Sequence, residues 1–230
     1  MQVNIKERMW AGVKAISPIL LGVIPFAMIV GVFAVDAGLT QLEGIGMTAI
    51  VYAGASQLAA IQMLVERSAL PVLILTVWVI NLRFLLYSAS LGEHFKDLSL
   101  GWKLLFSYLI TDQGFAVSVV EFEENKEKPG KRYFYLGASL IMWLVFFLAT
   151  GVGVLVGASV PASWNLDFAF PLSFMGLVVP TLKDRPAILA GLIAGTLTTL
   201  AVGIPYNLGL PISVLAGIGF GMLLEKLEQK

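Results

Sequence analysis

The chain has 230 residues, of which 58% are hydrophobic and 13% charged, and its 15 Lys and Arg balance 15 Asp and Glu. Soluble domains usually carry about 25% charged residues; with a mean hydropathy of +0.87, this composition describes a polytopic membrane protein and gives no electrostatic reason to expect a nucleic-acid partner. The absence of cysteine excludes disulfides and thiolate metal sites, and the single histidine, His94, cannot hold a zinc ion by itself, so no cofactor is expected.

A helix needs about 20 apolar residues to cross roughly 30 Å of hydrocarbon. Runs of this kind predict spans near 15–35, 45–65, 69–91, 102–122 and 133–156, followed by less regular ones near 168–182, 187–204 and 208–224. Lys6, Arg8 and Lys14 precede a first run longer than the apolar core of a signal peptide, so it reads as an uncleaved span. Ser17-Pro18 and Pro25 predict a kink or break within it, because proline removes a backbone donor. Pro171 and Pro180 interrupt the sixth run, and a tight segment, 205–211, joins the last two. Gly191 and Gly195 in the seventh, and Gly217, Gly219 and Gly221 in the eighth, read as packing faces. The expected fold is an all-α polytopic membrane helical bundle of about eight spans, some short, broken or re-entrant, in one transmembrane domain covering 1–230.

Loop charges orient this arrangement. Eight alternating spans put Lys6, Arg8, Lys14, Arg67, Lys126, Lys128, Lys131, Arg132, Lys183, Arg185, Lys226 and Lys230 on one side and only Lys96 and Lys103 on the other. The rich side should be cytoplasmic, with both termini there.

Polar groups inside the apolar runs carry the chemistry. Gly54-Ala55-Ser56-Gln57 interrupts the second run near its centre, where hydrocarbon offers no hydrogen bonds. Arg83 lies just past the middle of the third run, in Asn81-Leu82-Arg83-Phe84-Leu85-Leu86-Tyr87, and Asp112 lies at the centre of the fourth, beside Gln113. Three consecutive runs thus place their most polar residues at similar depth. Thr76, Arg83, Tyr87 and Ser90 fall on one helical stripe, and Tyr108 shares a face with Asp112.

Two readings stay open. Gly54, Ala55 and Ser56 make either a small-residue packing seam or the wall of a substrate site with unwound backbone. Arg83 and Asp112 either lock two helices as an ion pair or bind the two ends of a zwitterion, Arg83 taking a carboxylate and Asp112 an ammonium or a coupled proton. Enzymatic readings lack support: there is no His-Glu-x-x-His, no second acid at mid-depth, no base near an intramembrane serine, and no phosphate-binding loop.

Tyr52-Ala53-Gly54-Ala55-Ser56-Gln57, Asn81-Leu82-Arg83 followed by Tyr87, Thr111-Asp112, Asp167-Phe168-Ala169-Phe170-Pro171-Leu172 and Lys183-Asp184-Arg185-Pro186 together resemble the AzlC-type branched-chain amino-acid permeases, in order and spacing. Phe84 and Gln113 depart from the His and Glu that commonly occupy these places in the family. The resemblance implies a bacterial inner-membrane exporter of leucine, isoleucine and valine, in some members also methionine, working with a small membrane subunit of the AzlD type. The substrate-binding residues expected on this reading are Gly54, Ala55, Ser56, Gln57, Asn81, Arg83, Tyr87, Asp112 and Gln113, with Asp112 also the proton carrier. A channel-like pore for a small polar solute or ion, or a structural membrane subunit, is the alternative.

Overall fold

The structure, a computed structural model, describes residues 4–126, 128–157, 185–204 and 208–228. The expected sixth span (168–182), residues 205–207 of the last tight connection, and the 167–172 and 183–184 stretches of the family resemblance lie outside the described residues. All described elements are helical. They group into two compact units, 4–58 with 80–157 and 59–79 with 185–228. Among the described residues, 5–36, 70–95, 131–157, 185–203 and 209–226 are long and apolar enough to cross a membrane.

The first unit is built on two long helices, α1 (Ile5–Asp36) and α8 (Lys131–Gly157). Their seam is made by reciprocal glycines. Gly12 lies against the Phe134 carbonyl and Gly137 against the Met9 backbone; about four to six turns on, Gly31 lies against the Thr150 carbonyl, Gly153 against Met28 and Gly157 against Val32. The pairings rise together in both helices, so α1 and α8 run parallel. Apolar side chains gain nothing by leaving lipid, so van der Waals contact between closely approached backbones holds such a pair. Ile16, Ala27, Val30 and Ala34 of α1, and Tyr135, Ala138 and Val154 of α8, complete the seam and are fully buried. The expected break at Pro25 does not occur: α1 runs unbroken through Pro18 and Pro25. Both prolines are exposed, so the carbonyls they leave unpaired lie off the seam while the glycine contacts fix the helix on either side.

The remaining helices of this unit are short. α2 (Gln41–Val51) starts with a capping box, Glu43 accepting from the Thr40 N–H at 2.7 Å while Thr40 accepts from the Glu43 N–H at 3.3 Å. Its first turn packs at the Gly157 end of α8, Gly44 lying against Val154. It stops at Tyr52, whose φ of 43° and ψ of 47° are left-handed, and α3 (Gly54–Val65) follows at once. α4 (Leu70–Asn81) and α5 (Arg83–Gly92) meet at Leu82, and a short 3-10 turn, Glu93–Phe95, ends α5.

α6 (Leu100–Tyr108) and α7 (Asp112–Glu124) replace the expected fourth span. At 9 and 13 residues they are about 14 and 20 Å long, each too short to cross. They form a hairpin that turns back. Phe106 of α6 packs on Tyr135 at 4.8 Å, and Phe122 near the end of α7 packs on Phe134 at 6.2 Å and Phe95 at 5.9 Å. The turn between them lies halfway along α8, with Tyr108 accepting from the Trp143 indole at 2.9 Å and Gly114 beside Ser139. Both open ends therefore sit at the Lys131 end of α8, and the reading of 102–122 as a crossing is corrected. Lys96 and Lys103 sit at this same end of the unit: Lys96 follows Phe95, which packs 5.5 Å from Tyr135, and the Lys103 ammonium donates to the Lys96 carbonyl at 2.7 Å.

Arg8 fastens the hairpin to α1. It is buried, its guanidinium bonds Glu121 of α7 at 2.8 Å and lies over the Phe134 ring, and Lys128 stands 3.9 Å from the same carboxylate.

In the second unit, α9 (Arg185–Leu200) and α10 (Gly209–Glu228) pack antiparallel. Gly217 meets Ala194, Gly221 meets Ala190 and Gly209 meets Ala201. Gly217 and Gly221 serve the packing role expected of them, whereas nothing among the described residues lies within 4 Å of a Cβ placed on Gly195 or Gly219.

Candidate functional site

The three breaks of the first unit fall at one level, beside the middle of α8. Tyr52, at the end of α2, sets its ring edge-on to Phe146 at 5.6 Å and 6.1 Å from the Tyr108 ring. The Tyr108 hydroxyl donates to the Ala49 carbonyl in the last turn of α2, one of the acceptors a helix end leaves unpaired. That bond also takes Tyr108 off the Asp112 face: residues 109–111 are not helical, so the expected four-residue register between the two is lost.

Gln57 closes the first break. It is 1% exposed; its amide nitrogen donates to Thr48 of α2 at 2.8 Å, and its amide oxygen accepts from the Ala53 N–H at 3.3 Å. Both ends of the side chain thus hold the α2–α3 step together. Gly54 has a packing reason as well: a Cβ there would run into the Phe26 ring, with Phe146 at 3.1 Å. Ala55 is half-buried in the first turn. Ser56 is buried, donates to the Ala53 carbonyl at 2.9 Å, and accepts from the Asn81 amide at 3.1 Å. That bond joins the start of α3 to the end of α4.

One residue past Leu82, Arg83 opens α5. A guanidinium nitrogen stands 3.2 Å from one oxygen of Asp112, and the Tyr87 hydroxyl, one turn along α5, donates to the other at 2.9 Å. Tyr87 stacks on Phe115 of α7 at 4.3 Å, and Arg83 lies over Phe84. Thr111 caps α7, its hydroxyl accepting from the Gly114 N–H at 3.1 Å, and Gln113 is half-buried next to Asp112. Of the expected stripe, Arg83 and Tyr87 meet at Asp112, while Ser90 is exposed and Thr76 lies in the second unit.

The structure thus brings Ser56 with Asn81, and Arg83 and Tyr87 with Asp112. The ion pair does not use up its members. The Arg83 and Asp112 side chains keep 32% and 39% of their surface exposed. Arg83 Nε, Asn81 Oδ1 and the Tyr52 hydroxyl are buried and have no hydrogen-bond partner among the described residues. Two helix starts, those of α3 and α7, add their unpaired N–H groups at this level.

Sequence reasoning missed Thr48, Thr111 as a cap, and the Tyr108–Trp143 pair. Thr111 carried a readable signal, a capping residue followed by an acid in the first turn; a tyrosine in left-handed backbone, as at Tyr52, carries none.

No solved structure matches the chain. It is 26% identical over 223 residues to an inner membrane protein of Escherichia coli (strain K12), YgaZ, covering 94% of this chain and 89% of that one. It is 30% identical over 172 residues to an uncharacterized membrane protein of Archaeoglobus fulgidus, 73% of each, and 28% identical over 141 residues to one of Helicobacter pylori strain 26695, 61% of this chain and 60% of that one. The AzlC protein family model matches residues 18–160, the stretch that holds all three helix breaks, and the chain belongs to the AzlC family.

Proposed function

We propose that the protein is a secondary transporter that exports leucine, isoleucine, valine or a similar aliphatic amino acid across the bacterial inner membrane. One observation carries this reading: Arg83 and Asp112, each about a third exposed, stand at coincident helix breaks in the middle of an apolar bundle. Charges at that depth are costly in hydrocarbon and line a protein interior or a watery path. Broken helices are the usual place where transporters bind small charged solutes. On this reading Arg83 leaves Asp112 for the substrate carboxylate, and Asp112 takes the ammonium or the coupled proton. Ser56, Asn81, Tyr87, Gln113 and the backbone at Gly54 and Ala55 orient the solute, with Gln57 bridging the α2–α3 break.

The Lys131 end of the first unit gathers Lys6, Arg8, Lys96, Lys103, Lys126, Lys128, Lys131 and Arg132, so by charge it is the cytoplasmic face. Asp36 and Phe95 lie at opposite ends of this unit, so the two broken segments between them contribute one net crossing. With 100–124 turning back, an even number of crossings keeps both termini cytoplasmic on this reading. The whole chain then serves as one transport domain, and a small AzlD-type subunit is its partner by family resemblance.

Efflux of labelled leucine, valine and methionine from loaded cells tests the reading. Hydrogen bonds to charged groups contribute about 1.5–3 kcal/mol, so Arg83→Ala and Asp112→Asn should each slow efflux by about ten- to a hundredfold. Unchanged efflux in variants that fold and insert would remove these residues from the mechanism. The 3.2 Å pair also supports a purely structural lock. Full recovery in the double variant Arg83→Asp, Asp112→Arg would favour that reading, since a swapped pair restores the lock but reverses a substrate's contacts.

A further inference from the structure

The hairpin leaves a groove between itself and α5 that the mid-depth site does not explain. It encloses about 480 Å3, within the range of small-molecule sites. Its outer end is framed by Lys96 and Lys103, and its wall is apolar, with Leu91 among the lining residues. Its inner end is formed by Ser88 and Ile110, the first adjoining Tyr87 and the second two residues before Asp112. The lining thus runs from cations at the Lys131 face, along an apolar wall, to the chain neighbours of the residues that hold the Arg83–Asp112 pair. Among the described residues, no acidic one lines it.

We propose that this groove is the route by which the amino acid reaches the mid-depth site from the cytoplasm, a proposal that rests on the transport reading above. Lys96 and Lys103 draw the carboxylate to the mouth, the apolar wall accommodates an aliphatic side chain, and the Tyr87–Asp112 hydrogen bond is the inner barrier the solute must part. The gradient also selects: an acidic side chain would leave its second carboxylate against the apolar wall, and a basic one would meet two lysines at the entrance. The order of events is therefore capture by charge at the mouth, passage by apolar contact, and exchange of partners at Asp112.

The chain has no cysteine, so single cysteines report without background. Ser88→Cys and Ser107→Cys place a thiol at the inner end and on the wall of the groove. A charged, membrane-impermeant thiol reagent should modify both in inside-out vesicles and neither in right-side-out ones, and leucine should slow the reaction several-fold while aspartate and lysine leave it unchanged. Failure of the charged reagent where an uncharged, lipid-soluble maleimide succeeds would show a groove filled by acyl chains, and would overturn the proposal. Modification that leucine does not slow, in a protein whose leucine efflux still depends on Arg83, would equally overturn the route while leaving the mid-depth site standing. Loss of that Arg83 dependence would instead count against the transport reading itself.

Discussion

Gln57 shows how a residue prominent in sequence can act at one remove from a solute. Its two amide atoms join Thr48 of α2 to the Ala53 N–H ahead of α3, across a backbone that turns left-handed at Tyr52. A left-handed non-glycine residue costs about 1–3 kcal/mol and persists only where its surroundings impose it. Here the imposing contacts are the Gln57 bonds and the aromatic rings around Tyr52. Gln57→Leu should fit the space but strand a buried N–H, lowering stability by about 1–3 kcal/mol. The expected result is a lower thermal midpoint in detergent, together with slower efflux because the break it shapes carries Ser56. A variant as stable as the parent would show that the break is held by the rings alone. Arg83 and Asp112 stand out in sequence because charge inside an apolar run is rare, and the structure brings them together. Whether they pair with each other was not legible, because hydropathy gives depth and says nothing of partners.

At the scale of elements, the long helices were legible and the short ones were not. Unbroken apolar runs made α1 and α8 plain, and their glycines fixed the seam. Two glycines on α8 separate packing from composition. Gly153 faces the Met28 carbonyl of α1, whereas Gly151, half a turn away, has nothing within 4 Å of a Cβ placed on it. Gly153→Ala should therefore force α1 and α8 apart and cost about 1–3 kcal/mol or more. Gly151→Ala should be neutral or stabilise by about 0.5–1 kcal/mol, because alanine loses less backbone entropy in a helix. Thermal unfolding of the two variants side by side distinguishes these outcomes, and equal midpoints would contradict the seam. The hairpin α6–α7 escaped the sequence for a different reason. Apolar length alone allowed 102–122 to cross, but a helix capped afresh at Thr111 has ended its predecessor, and two pieces of 9 and 13 residues do not reach across 30 Å.

The whole molecule depends on that turn, because one returning segment changes the side of everything before it. Counting 102–122 as a crossing left Lys96 and Lys103 as the exceptions to a charge bias that every other loop obeyed. Turned back, the same segment brings both lysines to the end of the first unit that also holds Lys128, Lys131 and Arg132. The other end of α8 meets the start of α2, where the acid Glu43 opens a capping box. Placing the Lys131 end in the cytoplasm is the proposal that agrees with the positive-inside rule. Thiol accessibility tests the agreement. Asp97, Lys128 and Glu43 are exposed, and each takes cysteine without disturbing the Arg83–Asp112 pair. Asp97→Cys and Lys128→Cys should react with an impermeant reagent from the same side, and Glu43→Cys only from the opposite one. Reaction of Asp97→Cys and Lys128→Cys from opposite sides would restore the fourth crossing. It would also close the groove between α5 and α6 to the cytoplasm, since Lys96 and Lys103 would then guard its entrance from outside.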